Sequence, residues 1–146
     1  MTTANKPGEK HGEQVHCKRN RILVVDDEIR KLFRQLIALE LPHCKLDVAV
    51  NGAEAIEIFR HVHHGLIIMD VRMSVMDGET AFTEIEKLCA EKNWEMPAVL
   101  FCTGFDASPK VSSIIAKNPR HGLVCKPVPN DELLEAIKAR LDKPSA

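Results

Sequence analysis

The sequence predicts an α/β fold: a doubly wound, five-stranded parallel sheet with helices on both faces. Three observations carry that expectation. Five short apolar runs recur along the chain, stretches of helical spacing separate them, and four of the runs are apolar without alternation. Strands covered on both faces read in that unbroken way, whereas a half-solvated strand alternates. Strand–helix units repeated in this order build a parallel sheet.

The elements follow in order. Residues 1–20, "MTTANKPGEKHGEQVHCKRN", are polar and without a sustained period, and are expected to form a flexible tail. "ILVV" (22–25) is the first strand, and Ile29, Leu32, Phe33, Leu36 and Ile37 keep the spacing of one buried helix face after it. "LDVAV" (46–50) is the second strand, marked as an edge by Asp47 among apolar neighbours. A turn at Asn51-Gly52 opens the next helix, "NGAEAIEIF". "LIIM" (66–69) is the third strand, followed by a helical stripe of Phe82, Ile85, Leu88 and Cys89. "AVLFC" (98–102) is the fourth, and its helix starts with Ser108 as N-cap and Pro109 at the first helical position. "LVC" (123–125) is the fifth, and Leu133, Leu134, Ile137 and Leu141 give the last helix its face. The folded domain is expected over 21–142, with 143–146 as a short C-terminal end. At this size the strand order is the flavodoxin-like 2-1-3-4-5, in which ligands bind beyond the carboxyl ends of strands one and three, where the winding reverses.

Composition narrows the function. A net charge of −1 gives no basic field to hold nucleic acid or an anionic membrane. Five cysteines without a C-x-x-C pair fit a reducing compartment, with Cys102 and Cys125 inside apolar runs as small hydrophobes. No apolar run approaches the ~18 residues of a membrane helix, and the polar start is no signal peptide. The expected location is the cytoplasm. No G-x-G-x-x-G, Walker A or G-x-S-x-G motif supports a dinucleotide, nucleoside triphosphate or serine-hydrolase site.

Chemistry concentrates at the strand ends. Asp26, Asp27 and Glu28 follow the first strand, which is more acid than a helix cap needs. Asp70 ends the third strand, so two adjacent strand ends face each other with carboxylates. Such a cluster repels itself unless a hard cation sits among the oxygens, and Mg²⁺ suits carboxylates that leave room for waters and phosphate oxygens. Thr103 and Gly104 end the fourth strand and Lys126, before Pro127, ends the fifth. A metal and a lysine to neutralise oxygens, a hydroxyl to bind one, and a carboxylate nucleophile suit phosphoryl transfer.

The motifs "VVDDE", "IIMDVRMSVMDG", "FCTG" and "CKP", with Asp27, Asp70, Thr103 and Lys126 separated in turn by 43, 33 and 23 residues, resemble receiver domains of two-component response regulators, of the chemotaxis single-domain type. The resemblance implies a signalling protein rather than an enzyme. Asp70 would accept a phosphoryl group from a phosphohistidine on a sensor histidine kinase or phosphotransfer protein. Asp27 and Asp70 would ligate Mg²⁺ directly, Asp26 through water, and Arg72 through its backbone carbonyl. Lys126, the Thr103 hydroxyl and the Gly104 N–H would bind the phosphoryl group, and the Lys126-Pro127 bond is often cis. The surface of the fourth predicted helix and the fifth strand would repack to engage a downstream protein, the chain acting as a monomer or weak dimer without further output domain.

Several positions depart from the family pattern. Ser74 replaces a usual proline, and Leu123 stands where an aromatic usually turns inward. Bulky Arg72 and Phe105 suit a long-lived phosphoryl form. The segment "CAEKNWEMP" (89–97) is longer than a minimal link and is expected to add a surface feature around Trp94. In "HVHHG", His61 and His64 leave a metal site open beside the preferred reading, a helix end capped by Gly65. His11, His16 and Cys17 leave the same alternative in the tail. Two rival functions are a Mg²⁺-dependent phosphohydrolase that forms an aspartyl phosphate and a degenerate receiver that only binds proteins.

Overall fold

The computed structural model describes residues 13–26, 37–38, 40–73, 75–104 and 107–141. Five parallel strands form one sheet: β1 (Lys18–Val25), β2 (Lys45–Ala49), β3 (His64–Asp70), β4 (Ala98–Thr103) and β5 (Gly122–Cys125), in the order β2-β1-β3-β4-β5. Four helices are described: α1 (Gly52–Val62), α2 (Gly78–Lys92), α3 (Pro109–Lys117) and α4 (Asn130–Leu141). The expected helix face at Ile29, Leu32, Phe33 and Leu36 lies outside the described residues, though Ile37 and Leu41 beyond it are buried.

Alternation along each strand splits the core into two layers, which is why the strands read as unbroken apolar runs. Leu23, Val25, Ile67, Met69, Val99 and Phe101 point to one face, where Phe59 of α1, Phe82 and Ile85 of α2 and Val111 of α3 cover them. Ile22, Val24, Leu66, Ile68, Leu100 and Val124 point to the other, against Ile37, Leu41, Leu133 and Ile137. Asp47 does stand on an edge strand. It is half-buried and bonded to Arg21 Nη2 and His64 Nε2, each at 2.7 Å.

Local caps fix where the helices begin. Asn51 Oδ1 accepts from Glu54 N–H (2.9 Å) and Glu54 Oε1 reaches back to Val50 N–H (2.7 Å), a variant of the capping box. Asp77 caps α2 through Thr80 N–H, and Ser108 caps α3 with Pro109 behind it, as the sequence indicates. The end of α1 differs from expectation. The cap is His63, at φ 60°, while Gly65 lies inside β3, where a Cβ would stand 2.7 Å from Lys18 O. The left-handed conformation costs a non-glycine residue, but His63 recovers it by bonding Glu95 O through Nε2–H (2.8 Å) and stacking on Trp94 at 4.2 Å.

The start of the chain also differs. β1 begins at Lys18 rather than after Arg21, with a register irregularity before Ile22, and Cys17 is buried. Residues 13–20, expected as tail, lie against the 93–95 connection because that long link offers Asn93 O and the Glu95 carboxylate as acceptors. Cys125 departs too. The edge position of β5 leaves it exposed, whereas Cys102 is buried and its thiol is pushed up to about 12 by that burial.

The loop after β3 is pinned at both ends. Gly78 N–H bonds Val71 O at 2.9 Å and Gly52 N–H bonds Met76 O at 3.2 Å. A Cβ on Gly78 would stand 2.5 Å from Asp70 O, so the helix start and the strand end touch only because residue 78 has no side chain. Between them Val75 is exposed at φ 69°, an unusual conformation for a β-branched residue.

Two predictions follow from these packing constraints. Gly78→Ala must displace backbone, and should lower stability by about 1–3 kcal/mol in urea titration. The second concerns His121, which is buried, accepts from Val99 N–H through Nδ1 (3.0 Å) and meets Phe82 edge-to-face. Burial, helped by the charges of Arg120 and Arg140, lowers it from 6.5 to about 4. The unfolded chain therefore binds a proton that the folded one refuses, and stability falls as pH drops from about 6.5 towards 4. His121→Gln should remove about 2 kcal/mol of the loss measured between pH 7 and pH 5.

Candidate functional site

The parallel register determines what meets at the carboxyl end of the sheet. Val25 pairs with Met69, so the next residues, Asp26 and Asp70, leave neighbouring strands at the same level. Asp70 itself pairs with Cys102, and Thr103 with Cys125, which sets Thr103 and Lys126 one step beyond on the far side. Each side chain thus arrives at the mouth because its strand ends there.

Asp70 is 8% exposed and held from two directions. Its Oδ1 accepts from Arg72 N–H at 3.2 Å and its Oδ2 from Lys126 Nζ at 3.0 Å. The same ammonium lies 3.3 Å from Oδ2 of Asp26, which is 2% exposed and whose N–H bonds Ala49 O. Burial pushes the Lys126 ammonium down, but the bond to Asp70 and the charges of Asp26 and Asp70 outweigh it and hold the group above its ordinary value. Lys126 N–H bonds Thr103 O at 2.7 Å, fixing the lysine to the end of β4, and the Lys126-Pro127 peptide is cis, as the family resemblance implies.

Thr103 is buried at the end of β4, and Gly104 after it is exposed, with nothing within 4 Å of where a Cβ would stand. Asp26, Asp70 and Lys126 therefore form one contact group, with Thr103 and Gly104 on the adjoining strand end. Asp27, Glu28, Ser74 and Phe105 lie outside the described residues. Among the described residues no group of three or more His, Cys, Asp or Glu could hold a metal. Two carboxylates sharing one ammonium nevertheless leave a net negative charge among hard oxygen donors. That set fits Mg²⁺, which takes one or two carboxylates and keeps waters.

The histidines flagged as an open metal site separate. His61 faces Glu57 across the exposed side of α1 at 3.7 Å, and His64 is fully buried on Asp47. Burial lowers the His64 imidazole against the pull of Asp47, whose Oδ2 lies 2.7 Å from Nε2. This Arg21–Asp47–His64 group sits at the amino end of the sheet, away from the mouth, and no spacing in the sequence announces it. Leu123 is half-buried against the layer that holds Ile114 and Ile115. No helix among the described residues is long and apolar enough to cross a membrane.

Comparison with known proteins agrees with this geometry. Residues 22–138 match the family model of the response regulator receiver domain. The chain is 32% identical over 126 residues to chemotaxis protein CheY of Bacillus subtilis, covering 84% of this chain and 98% of that one. It is 29% identical over 119 residues to chemotaxis protein CheY of Halobacterium salinarum, covering 80% and 92%. A CheY-like receiver domain from Methanospirillum hungatei superposes with a TM-score of 0.69 at 25% identity, covering 84% of this chain and 94% of the other. With a family match over most of its length and the acid pair and lysine at the expected strand ends, the chain belongs to the response regulator receiver domains of two-component systems and is CheY-like.

Proposed function

We propose that Asp70 accepts a phosphoryl group from a phosphohistidine of a sensor histidine kinase or histidine phosphotransfer protein, in the presence of Mg²⁺. The observation that carries this reading is the clamp on Asp70, with a backbone N–H on one carboxylate oxygen and the Lys126 ammonium on the other. In the transfer an Asp70 oxygen–phosphorus bond forms as the histidine nitrogen–phosphorus bond breaks, and the imidazole nitrogen leaves with the electron pair. Lys126 neutralises charge on the transferring oxygens, and the Thr103 hydroxyl and Gly104 N–H bind them.

Receiver domains are generally Mg²⁺-dependent. Asp26, Asp27, Asp70 and the Arg72 carbonyl would hold the ion, which supplies positive charge opposite the phosphoryl oxygens when bound. Phosphorylation adds roughly −1.5 to −2 charge to a mouth already negative. The Thr103 end of β4 responds, and the face of α3 and β5 changes its protein contacts. A near-complete switch needs ~5.5 kcal/mol of differential stabilisation. With Leu123 in the place of the usual aromatic, that repacking proceeds here without an aromatic rotamer. The downstream target is a protein met by that face, and the chain acts as a monomer or weak dimer.

Incubation with Mg²⁺ and a small acyl phosphate should give a hydroxylamine-labile adduct, absent in Asp70→Asn and slowed roughly 10²-fold in Lys126→Ala. Failure of intact protein to form the adduct would favour a receiver that only binds proteins. Steady turnover of a phosphomonoester would favour a phosphohydrolase.

A further inference from the structure

Residues 13–21 lie outside the range matched to the family, yet they are tied to the domain by a dense set of polar contacts. Val15 N–H bonds Asn93 O at 2.9 Å and Val15 O accepts from Glu95 N–H at 2.8 Å, a short parallel bridge. Asn93 adds a bond from Nδ2 to Glu13 O at 2.7 Å. The Glu95 carboxylate gathers the rest. Its Oε1 accepts from the Cys17 N–H (3.1 Å) and thiol (3.2 Å), with His16 Nδ1 at 3.4 Å, and its Oε2 lies 3.7 Å from Arg19 Nη2.

The same Oε2 also lies 3.6 Å from Arg120 Nη1, which donates to Met96 O at 3.3 Å. Arg120 belongs to the turn between α3 and β5, where its N–H bonds Asn118 Oδ1 and His121 N–H bonds Asn118 O, both at 3.0 Å. One carboxylate therefore joins the start of the chain to the turn that leads into β5. We propose that residues 13–17, just before β1, form a strap latched by Glu95, and that the closed strap steadies the α3–β5 turn through Arg120.

The strap is suited to open and close. Residues 13–16 are exposed, Val15 at 54%, and only Cys17 is buried. The strap hides little apolar surface and is held by polar bonds, so its opening costs far less than unfolding the sheet beneath it. The bonds from Cys17 to the Glu95 carboxylate are charge-assisted and partly shielded from water, which strengthens them and makes them depend on one group. Coupling of this kind is reciprocal: whatever repositions the turn also changes the hold on the strap. It is independent of the chemistry at Asp70.

Amide hydrogen exchange on the full chain, read by NMR, tests the strap. Val15→Pro deletes the N–H that bonds Asn93 O and leaves the Glu95 carboxylate and the Arg120 side chain unchanged. It should speed exchange at Cys17 and Lys18 roughly two- to tenfold and also speed exchange at Arg120 and His121, leaving Ile67 in β3 unchanged. Glu95→Gln should speed both sets roughly tenfold or more. The proposal is overturned if the strap amides loosen in Val15→Pro while those of Arg120 and His121 hold their rates, or if neither variant loosens the strap. Should Glu95→Gln disturb the whole fold, Val15→Pro still decides. Adduct formation from acyl phosphate should persist in Val15→Pro, so a loss of the strap and a loss of phosphoryl acceptance are read separately.

Discussion

The site depends on one charge balance. Asp26 and Asp70, both almost wholly withdrawn from water, share the single ammonium of Lys126 at 3.3 and 3.0 Å. Two carboxylates brought this close repel, and burying them without a partner costs several kcal/mol per ion. Lys126 offsets part of that cost and leaves a net negative pocket. The remaining charge is what a divalent cation or the positive end of an incoming group finds there. The arrangement rests on backbone: parallel pairing of β1 with β3 aligns the two acids, and the bond from Lys126 N–H to Thr103 O ties the lysine to the neighbouring strand end.

Much of this was legible in the sequence because the informative residues sit where periodicity ends. Each apolar run stops at a polar residue, and in a parallel sheet all those stops lie on one edge, so strand order alone brings Asp26, Asp70, Thr103 and Lys126 together. Strand and cap positions were readable for a similar reason: Asn51, Asp77 and Ser108 carry the side chains that accept a first-turn N–H. What escaped depends on contacts between distant segments. His63 takes the left-handed cap because Trp94 and Glu95, some thirty residues later, receive its ring, and no local pattern distinguishes it from Gly65. The docking of residues 13–20 depends likewise on acceptors in the 93–95 link. Their own polar composition reads as tail. The partnership of Asp47 with Arg21 and His64 crosses three strands and is invisible to any single window.

Membership of the receiver family places these features in two groups. The mouth, with Asp26, Asp70 and Lys126, lies at the carboxyl end of the sheet. The opposite end of the sheet is built from a long α2–β4 connection, an aromatic contact between His63 and Trp94, and a carboxylate on which two guanidinium groups converge. Leu123 lies between the two. It packs into the layer beside Ile114 and Ile115, where an aliphatic side chain fills space without the in-or-out choice of a ring.

Trp94 has a consequence for spectroscopy. The chain has one tryptophan and no tyrosine, so near-ultraviolet emission comes from a single indole. That indole lies against an imidazole and below a lysine ammonium at 5.2 Å, just before β4 and so at the amino end of the sheet, opposite the acidic mouth. An optical titration is therefore a view from the rear of the molecule, and a silent trace on adding a cation says nothing about whether the front has filled.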